Sequence, residues 1–325
     1  MPIMTFAKPA KLREREKKSS FRSYFKRNYD LYLLFIPGVI FLVIFKIVPL
    51  FGVSIAFVDY NIFAGSGPVD AIFKSDFVGF ANFRRLMARE EFTRAFINTF
   101  IISGMKLAFL FPLPIIFALM LNAVRLSAFK RITQTVIYIP HFFSWVIVAG
   151  IFMTIMSMNG IFNQIYQSLT GAETPLRFFM DGGLFRGVLI FTDAWKEAGW
   201  GTIVYLAAIA GIDQELYEAA VIDGARPYQQ LIYITLPSLL STIILLLILR
   251  ISSVMDAGFT QILAMYNPTV YKTSDIIQTY VYRIGLGQMD FSLATAVGLF
   301  NSVINLTLII SANSLSRKLA GKSIW

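Results

Sequence analysis

YEAAVIDGARPYQQLIYITLP, residues 217 to 237, lies between two long apolar segments and is unlike either of them. On a helix, Glu218, Ala219 and Ala220 present an acidic group with little bulk around it, so another surface can approach closely. Asp223 and Gly224 follow, and glycine accepts backbone angles that other residues avoid. Pro227, directly after Arg226, favours a second helix start near Tyr228, and Pro237 marks entry into the next apolar run. The spacing predicts helix, turn, helix over about residues 212 to 234, projecting from whatever holds the flanking segments.

What holds them is a membrane. Apolar residues make up 56% of the 325-residue chain and charged residues 15%, against roughly 25% charged in a soluble domain. Six windows approach or exceed the roughly 18 to 20 apolar residues needed to cross a hydrocarbon core. They cover about 31 to 58, 93 to 121, 132 to 158, 184 to 211, 235 to 261 and 291 to 314. Continuous rather than alternating runs argue against a β-barrel and predict an all-α membrane protein with six transmembrane helices. Ser54 and Ala56 imitate a signal-peptide cleavage site, but the run before them is too long for a signal h-region.

Charge then sets orientation. Residues 1 to 30 form a basic tail with Lys8, Lys11, Arg13, Arg15, Lys17, Lys18, Arg22, Lys26 and Arg27, which the positive-inside rule places in the cytoplasm. Directly ahead of a hydrophobic span, such a run reflects topology and anionic lipid rather than nucleic acid. Six crossings bring the 122 to 131 loop, the 217 to 237 stretch and the C-terminus to the same side, supported by Arg125, Lys130, Arg131, Arg317, Lys318 and Lys322. Two segments fit less well. The 217 to 237 stretch and its approach carry more acid than base, and the 59 to 92 segment, expected outside, carries Lys74, Arg84, Arg85 and Arg89. There Phe77, Phe80, Phe83 and Met87 recur at helical spacing, predicting a short helix on the outer membrane surface. No internal repeat or soluble domain is visible, so residues 31 to 325 read as one transmembrane domain.

The chain has no cysteine, which removes disulfides and thiolate chemistry, and His141 is its one histidine, so no histidine-based metal site is expected. With Phe142, Phe143 and Trp145 beside it, His141 reads as a membrane-interface residue.

The opening stretch also carries a resemblance. Glu218-Ala219-Ala220, three intervening residues, Gly224, nine more, then Ile234, Leu236 and Pro237 resemble the EAA loop of binding-protein-dependent ABC importer permeases. Residues 45 to 63, FKIVPLFGVSIAFVDYNIF, and 271 to 306 are similar to the branch that takes up complex plant or algal oligosaccharides. The resemblance implies a type I importer permease fold in a bacterial cytoplasmic (inner) membrane, with both termini cytoplasmic. Its partners would be a second, related permease, usually a different chain, two cytoplasmic ABC ATPases and an extracytoplasmic sugar-binding protein. The loop would be a coupling helix docked on the ATPase, with Glu218, Ala219, Ala220, Asp223, Gly224, Arg226 and Pro227 at the contact. Glu218 and Gly224 match the family's own glutamate and glycine, and rigid-group motion of the spans would give alternating access.

Gly321-Lys322-Ser323 imitates the end of a phosphate-binding loop, but Ser316 stands where that motif needs glycine and no helix can follow before Trp325. ATP and magnesium therefore belong to a partner ATPase, and this chain is expected to bind no cofactor and to be no enzyme.

Ionisable residues inside spans mark the candidate sugar pathway. Asp193, Lys196, Glu197 and Trp200 recur at spacings of three and four, on one helical face. Trp195, Trp200 and Tyr205 could stack on sugar rings. The competing reading is a salt-bridge network that orients helices, and the residues alone leave both open. In the fifth span Asp256 is a further lining candidate near Ser252 and Ser253, while Arg250 is expected to point elsewhere. Gly298, Asn301 and Asn305 read as helix packing. Lys46 and Lys106 read as snorkelling or pocket cations, and a basic pocket would suit acidic fragments such as alginate or pectin oligomers.

Two other function classes compete. A proton-coupled secondary sugar transporter would need inverted repeats or broken helices, neither visible here, and would leave residues 217 to 237 unexplained. An integral membrane enzyme would need a catalytic constellation, and no paired-carboxylate motif is recognisable.

Overall fold

The computed structural model describes residues 28–320; the basic tail and the Gly321-Lys322-Ser323 motif lie outside them. Contacts divide the chain into two units, one ending at Val53 and one beginning at Ser54. The first unit is a helix, α1 (Tyr29–Leu42), continued by a wider turn over Val43–Ile47 and a tighter one from Val48. Beyond Asp30, α1 is apolar on every side, as expected of a helix that can face lipid.

The second unit is built around α2 (Glu90–Leu110), α3 (Pro112–Ala123), α4 (Ser127–Tyr138), α5 (Trp145–Ile155), α6 (Gly182–Ala210), α7 (Gln214–Ile222), α8 (Pro227–Gln230), α9 (Leu236–Ser252), α10 (Phe259–Met265) and α11 (Phe291–Ala320), with further helices, Ile161–Thr170 among them, and short helical turns before and between them. Among the described residues four helical stretches are long and apolar enough to cross a membrane: Tyr29–Phe57, Glu90–Ala123, Pro227–Ser252 and Phe291–Lys318. A fifth arises if Ser127–Phe142 and Trp145–Ile155 count as one span.

α6, with 29 residues, is about 43 Å long at 1.5 Å per residue. Its interior charges make it less apolar than those four stretches, and they are tolerated because protein surrounds them: Asp193 and Lys196 are buried together with Phe185, Leu189, Thr192 and Tyr205. Asp181 starts it, its Oδ1 accepting from the amides of Gly183 and Leu184 at 2.9 and 2.8 Å. α6 is the axis of the unit. One core cluster packs its Phe185, Val188 and Leu189 against Ile102, Val148, Phe152, Ile262 and Met265. A second packs its Tyr205 and Ile209 against Ala118 and Leu239.

Three sequence expectations are corrected. The third span is not continuous: α4 and α5 meet at 103°, with Pro140 in the short 3₁₀ turn Ile139–Phe142 and Ser144 capping α5 through the Ile147 amide at 3.3 Å. The fifth span ends at Ser252, not near 261: the chain leaves the helix at Ser253 and passes through left-handed backbone at Ala257 (φ 51°) and Gly258 (φ 85°) before α10. Residues 77 to 87 are not one helix. Phe77 lies in a two-residue strand pairing Asp76–Phe77 with Val58–Asp59, and the amides of Val78 and Gly79 both donate to the Phe57 carbonyl before the helix Ala81–Met87 starts.

Candidate functional site

Three helices converge on a charged cavity of about 210 Å³. α2 contributes Ser103 and Lys106, one turn apart; α6 contributes Asp193 and Glu197, also one turn apart; the end of α9 and the turn after it contribute Arg250, Ser253, Asp256 and Gly258. Lys106 and Asp193 form a buried ion pair at 2.9 Å. The ammonium also donates to Gln261 Oε1 at 2.5 Å, and the Gln261 amide nitrogen donates to the Leu189 carbonyl at 2.7 Å and to Thr192 Oγ1 at 2.8 Å. Buried charge of this kind persists when it is paired and further hydrogen-bonded, and the Lys106 ammonium has both a carboxylate and an amide oxygen.

Gly258 makes room for this arrangement. A side chain there would collide with Lys106 Nζ, and its positive φ disfavours any other residue. Asp256 holds the turn, its Oδ1 accepting from the Gly258 and Phe259 amides at 3.0 and 3.2 Å. The Ser103 hydroxyl donates to the Val254 carbonyl, tying α2 to the same unwound stretch.

A second cavity of about 390 Å³ adjoins the first, sharing Asp193, Glu197, Arg250 and Ser253. It is otherwise apolar and aromatic, with Phe111, Pro114, Trp200, Tyr205, Leu246 and Leu249, and its size lies in the roughly 300–1,000 Å³ range of small-molecule pockets. Charged groups beside aromatic faces suit a ligand that is polar at its rim and apolar on its ring faces.

At the edge of both cavities a cluster sits on the break between α4 and α5. His141 Nδ1 lies 2.7 Å from Glu197 Oε2, and the His141 ring stacks on Trp200 at 4.4 Å. Lys196 Nζ donates to Glu197 Oε1 at 2.8 Å and to the His141 carbonyl at 2.7 Å, and lies 5.4 Å from the Trp145 ring centre.

Of the residues singled out for the pathway, Asp193, Glu197, Trp200 and Asp256 line these cavities. Lys196 is buried and lines neither; it braces Glu197 and the helix break. Trp195 borders a separate apolar hollow with Phe117, Val136 and Phe191, its ring against Phe143 and Phe152. Sequence reasoning missed Ser103, Gln261 and Gly258, and it sent Arg250 away from the cavity that it lines. One signal was available: Gln261 is an amide in the apolar run Phe259–Met265.

The residues around 217 to 237 form a second, exposed feature. Asp213 caps α7 through the Glu215 amide at 3.0 Å. Glu218 and Ala219 are exposed, as are Leu216, Val221 and Ile222, the last 85% accessible. Asp223 ends the helix and Gly224 turns the chain at φ 78°. The Ala225 amide reaches back to the Ala220 carbonyl at 2.8 Å and the Gly224 amide to Val221 at 3.0 Å, the two bonds of a Schellman turn. Arg226 and Pro227 then open α8, the Arg226 amide donating to Gln229 Oε1 at 2.7 Å. Across this turn the Tyr217 hydroxyl meets Thr235 Oγ1.

Comparison with known proteins agrees with the architecture. Residues 110–321 match the family described as binding-protein-dependent transport system inner membrane component. Protein LplB of Bacillus subtilis (strain 168) is 44% identical over 303 residues, 93% of each chain. The polygalacturonan/rhamnogalacturonan transport system permease protein YteP of the same organism is 41% identical over 296 residues, covering 91% of this chain and 90% of YteP. Among solved structures, a chain of a bacterial ABC transporter involved in the import of the acidic polysaccharide alginate superposes with a TM-score of 0.84 at 38% identity, covering 92% of this chain and 99% of that one. A bacterial alginate ABC transporter in complex with an alginate pentasaccharide-bound periplasmic protein gives 0.85 at 37%, covering 94% and 100%. The chain belongs to the binding-protein-dependent transport system inner membrane component family and is an ABC transporter permease.

Proposed function

We propose that this chain is the transmembrane permease subunit of an ATP-driven importer that carries oligosaccharides, acidic polysaccharide fragments among them, from an extracytoplasmic binding protein to the cytoplasm by alternating access. The observation that carries the reading is one continuous span. Pro227–Ser252 begins at the exposed α7–turn–α8 unit and ends at Arg250 and Ser253 in the cavities. A push on α7 therefore has a rigid path of about 38 Å, at 1.5 Å per residue, to the site where a sugar would lie.

In this reading α7 is the coupling helix. Glu218, Asp223 and Arg226 supply polar contacts to the ATPase, Leu216, Val221 and Ile222 supply apolar ones, Ala219 and Ala220 permit close approach, and Gly224 and Pro227 shape the turn. ATP and Mg²⁺ bind to two copies of that partner, and a second, related permease completes the pathway. α6 and the bent α4–α5 pair complete six spans with the four long apolar helices, and both termini lie in the cytoplasm of a bacterial cell. Support for a sugar comes from the names of the relatives, and for an acidic one from YteP and the alginate importer.

The test is reconstitution of the whole transporter in proteoliposomes with its binding protein. Glu218→Ala should abolish ATP-dependent oligosaccharide uptake and sugar-stimulated ATP hydrolysis while the complex stays assembled; unchanged coupling would sink the reading. The broken α4–α5 span is a feature that a proton-coupled transporter would share. That alternative predicts uptake that follows a proton gradient and ignores ATP.

A further inference from the structure

We infer that Arg250 is the residue that selects acidic over neutral oligosaccharides, by binding a uronate carboxylate of the passing sugar; this rests on the importer reading. Three carboxylates and two cationic side chains line the charged cavity, and four of the five are already engaged. Asp193 is paired with Lys106 at 2.9 Å. Glu197 is held by Lys196 at 2.8 Å and His141 at 2.7 Å. Asp256 accepts the amides of Gly258 and Phe259. Arg250 has no ion pair and no side-chain hydrogen bond among the described residues; only its backbone is used, the carbonyl accepting from the Ser253 amide and hydroxyl. Pairing thus cancels or satisfies every charge in the cavity except one guanidinium.

A cation near the end of a membrane span is costly unless it meets water or a counter-charge, so its default reading is functional. The C-terminal end of α9 offsets part of that cost through the helix dipole. It does not supply a partner for the planar fork, which matches a carboxylate in two parallel hydrogen bonds. The position fits as well. Arg250 borders both cavities, so a sugar ring lying against Trp200 and Tyr205 in the aromatic one would bring its carboxylate to the guanidinium. A neutral sugar could stack equally well but would leave the cation unanswered.

The experiment uses the full transporter in proteoliposomes and two probes of the same backbone, trigalacturonate and its carboxyl-reduced product, galactotriose. The binding protein is identical in every reconstitution, so its own preference cancels when the acidic-to-neutral uptake ratio of a variant is divided by that of the wild type. Arg250→Gln should lower this ratio at least tenfold, and Arg250→Lys should recover a substantial part of it. An unchanged ratio overturns the inference, whether uptake of both probes is preserved or both fall together, the latter marking a structural role or an ion pair with the companion permease. A wild-type complex that carries galactotriose alone, or neither probe, overturns it too. Uptake that ignores ATP and follows a proton gradient would remove the importer reading instead, and the ratio would still decide the role of Arg250.

Discussion

The Tyr217 hydroxyl and Thr235 Oγ1 lie 2.9 Å apart, joining the exposed helix α7 to the start of the span that leads to the cavities. Thr235 is buried, and Tyr217 reaches it across the Gly224 turn, so the helix–turn–helix closes on itself. Removing this bond should loosen coupling more than folding. Tyr217→Phe is expected to cost about 0.5–1.5 kcal/mol of stability and to reduce sugar uptake per ATP hydrolysed severalfold. Thr235→Val should do the same and the double variant little more. Uptake and ATP hydrolysis measured on the same proteoliposomes check this.

Gly224 tests strain apart from packing. A Cβ there would meet nothing within 4 Å, so Gly224→Ala has no clash to relieve. Its cost is the left-handed backbone at φ 78°, about 1–2 kcal/mol. Gly224→Asn should recover much of that, because asparagine tolerates this conformation. Thermal unfolding and uptake of the two variants are expected to rank Asn above Ala; equal losses would locate the need for glycine in a partner contact instead.

The Lys106–Asp193 pair should behave as a buried unit. Asp193→Leu or Lys106→Met alone leaves an unpaired charge and is expected to cost about 3–5 kcal/mol, whereas the double replacement should recover most of the loss. Gly258→Ala should resemble the single variants, since its methyl would meet the Lys106 ammonium. Unfolding in mild detergent, read as a double-mutant cycle, decides it.

Alkaline pH should reveal the packing of Tyr266, which lies outside the long spans. Burial first, then its neighbour Tyr271, pushes its hydroxyl up to about 12. The folded value stands above the unfolded one, so the neutral phenol's contribution to stability is complete below about pH 10 and is lost as pH rises through about 12. The difference between wild type and Tyr266→Phe in phenolate absorbance should place one titration near the upper value; a titration near pH 10 would contradict it.

The helix–turn–helix was legible because it depends on neighbours in the chain. Gly224 and Pro227 act through their own backbone angles, and the structure has a left-handed turn and a second helix start at those positions. The α4–α5 break was half legible: Pro140 was visible, but a proline inside an apolar run also occurs in α1, where Pro37 leaves the helix unbroken. Arg250 was illegible. Helical periodicity gave the direction of its side chain relative to Ser252 and Ser253, but not which helices lie across from it.

By itself, then, the sequence determined the local and the average: helix ends set by caps and turn residues, apolar runs long enough for a bilayer, and the family. Tertiary structure decided which charges meet. Lys106 and Asp193 stand 87 positions apart, and Lys106 and Gln261 155 apart. Such pairings depend on how helices cross, which arises from packing summed over whole faces and leaves no periodic trace in the chain. The same packing leaves the Arg250 guanidinium in the cavity with no ion pair and no side-chain hydrogen bond among the described residues.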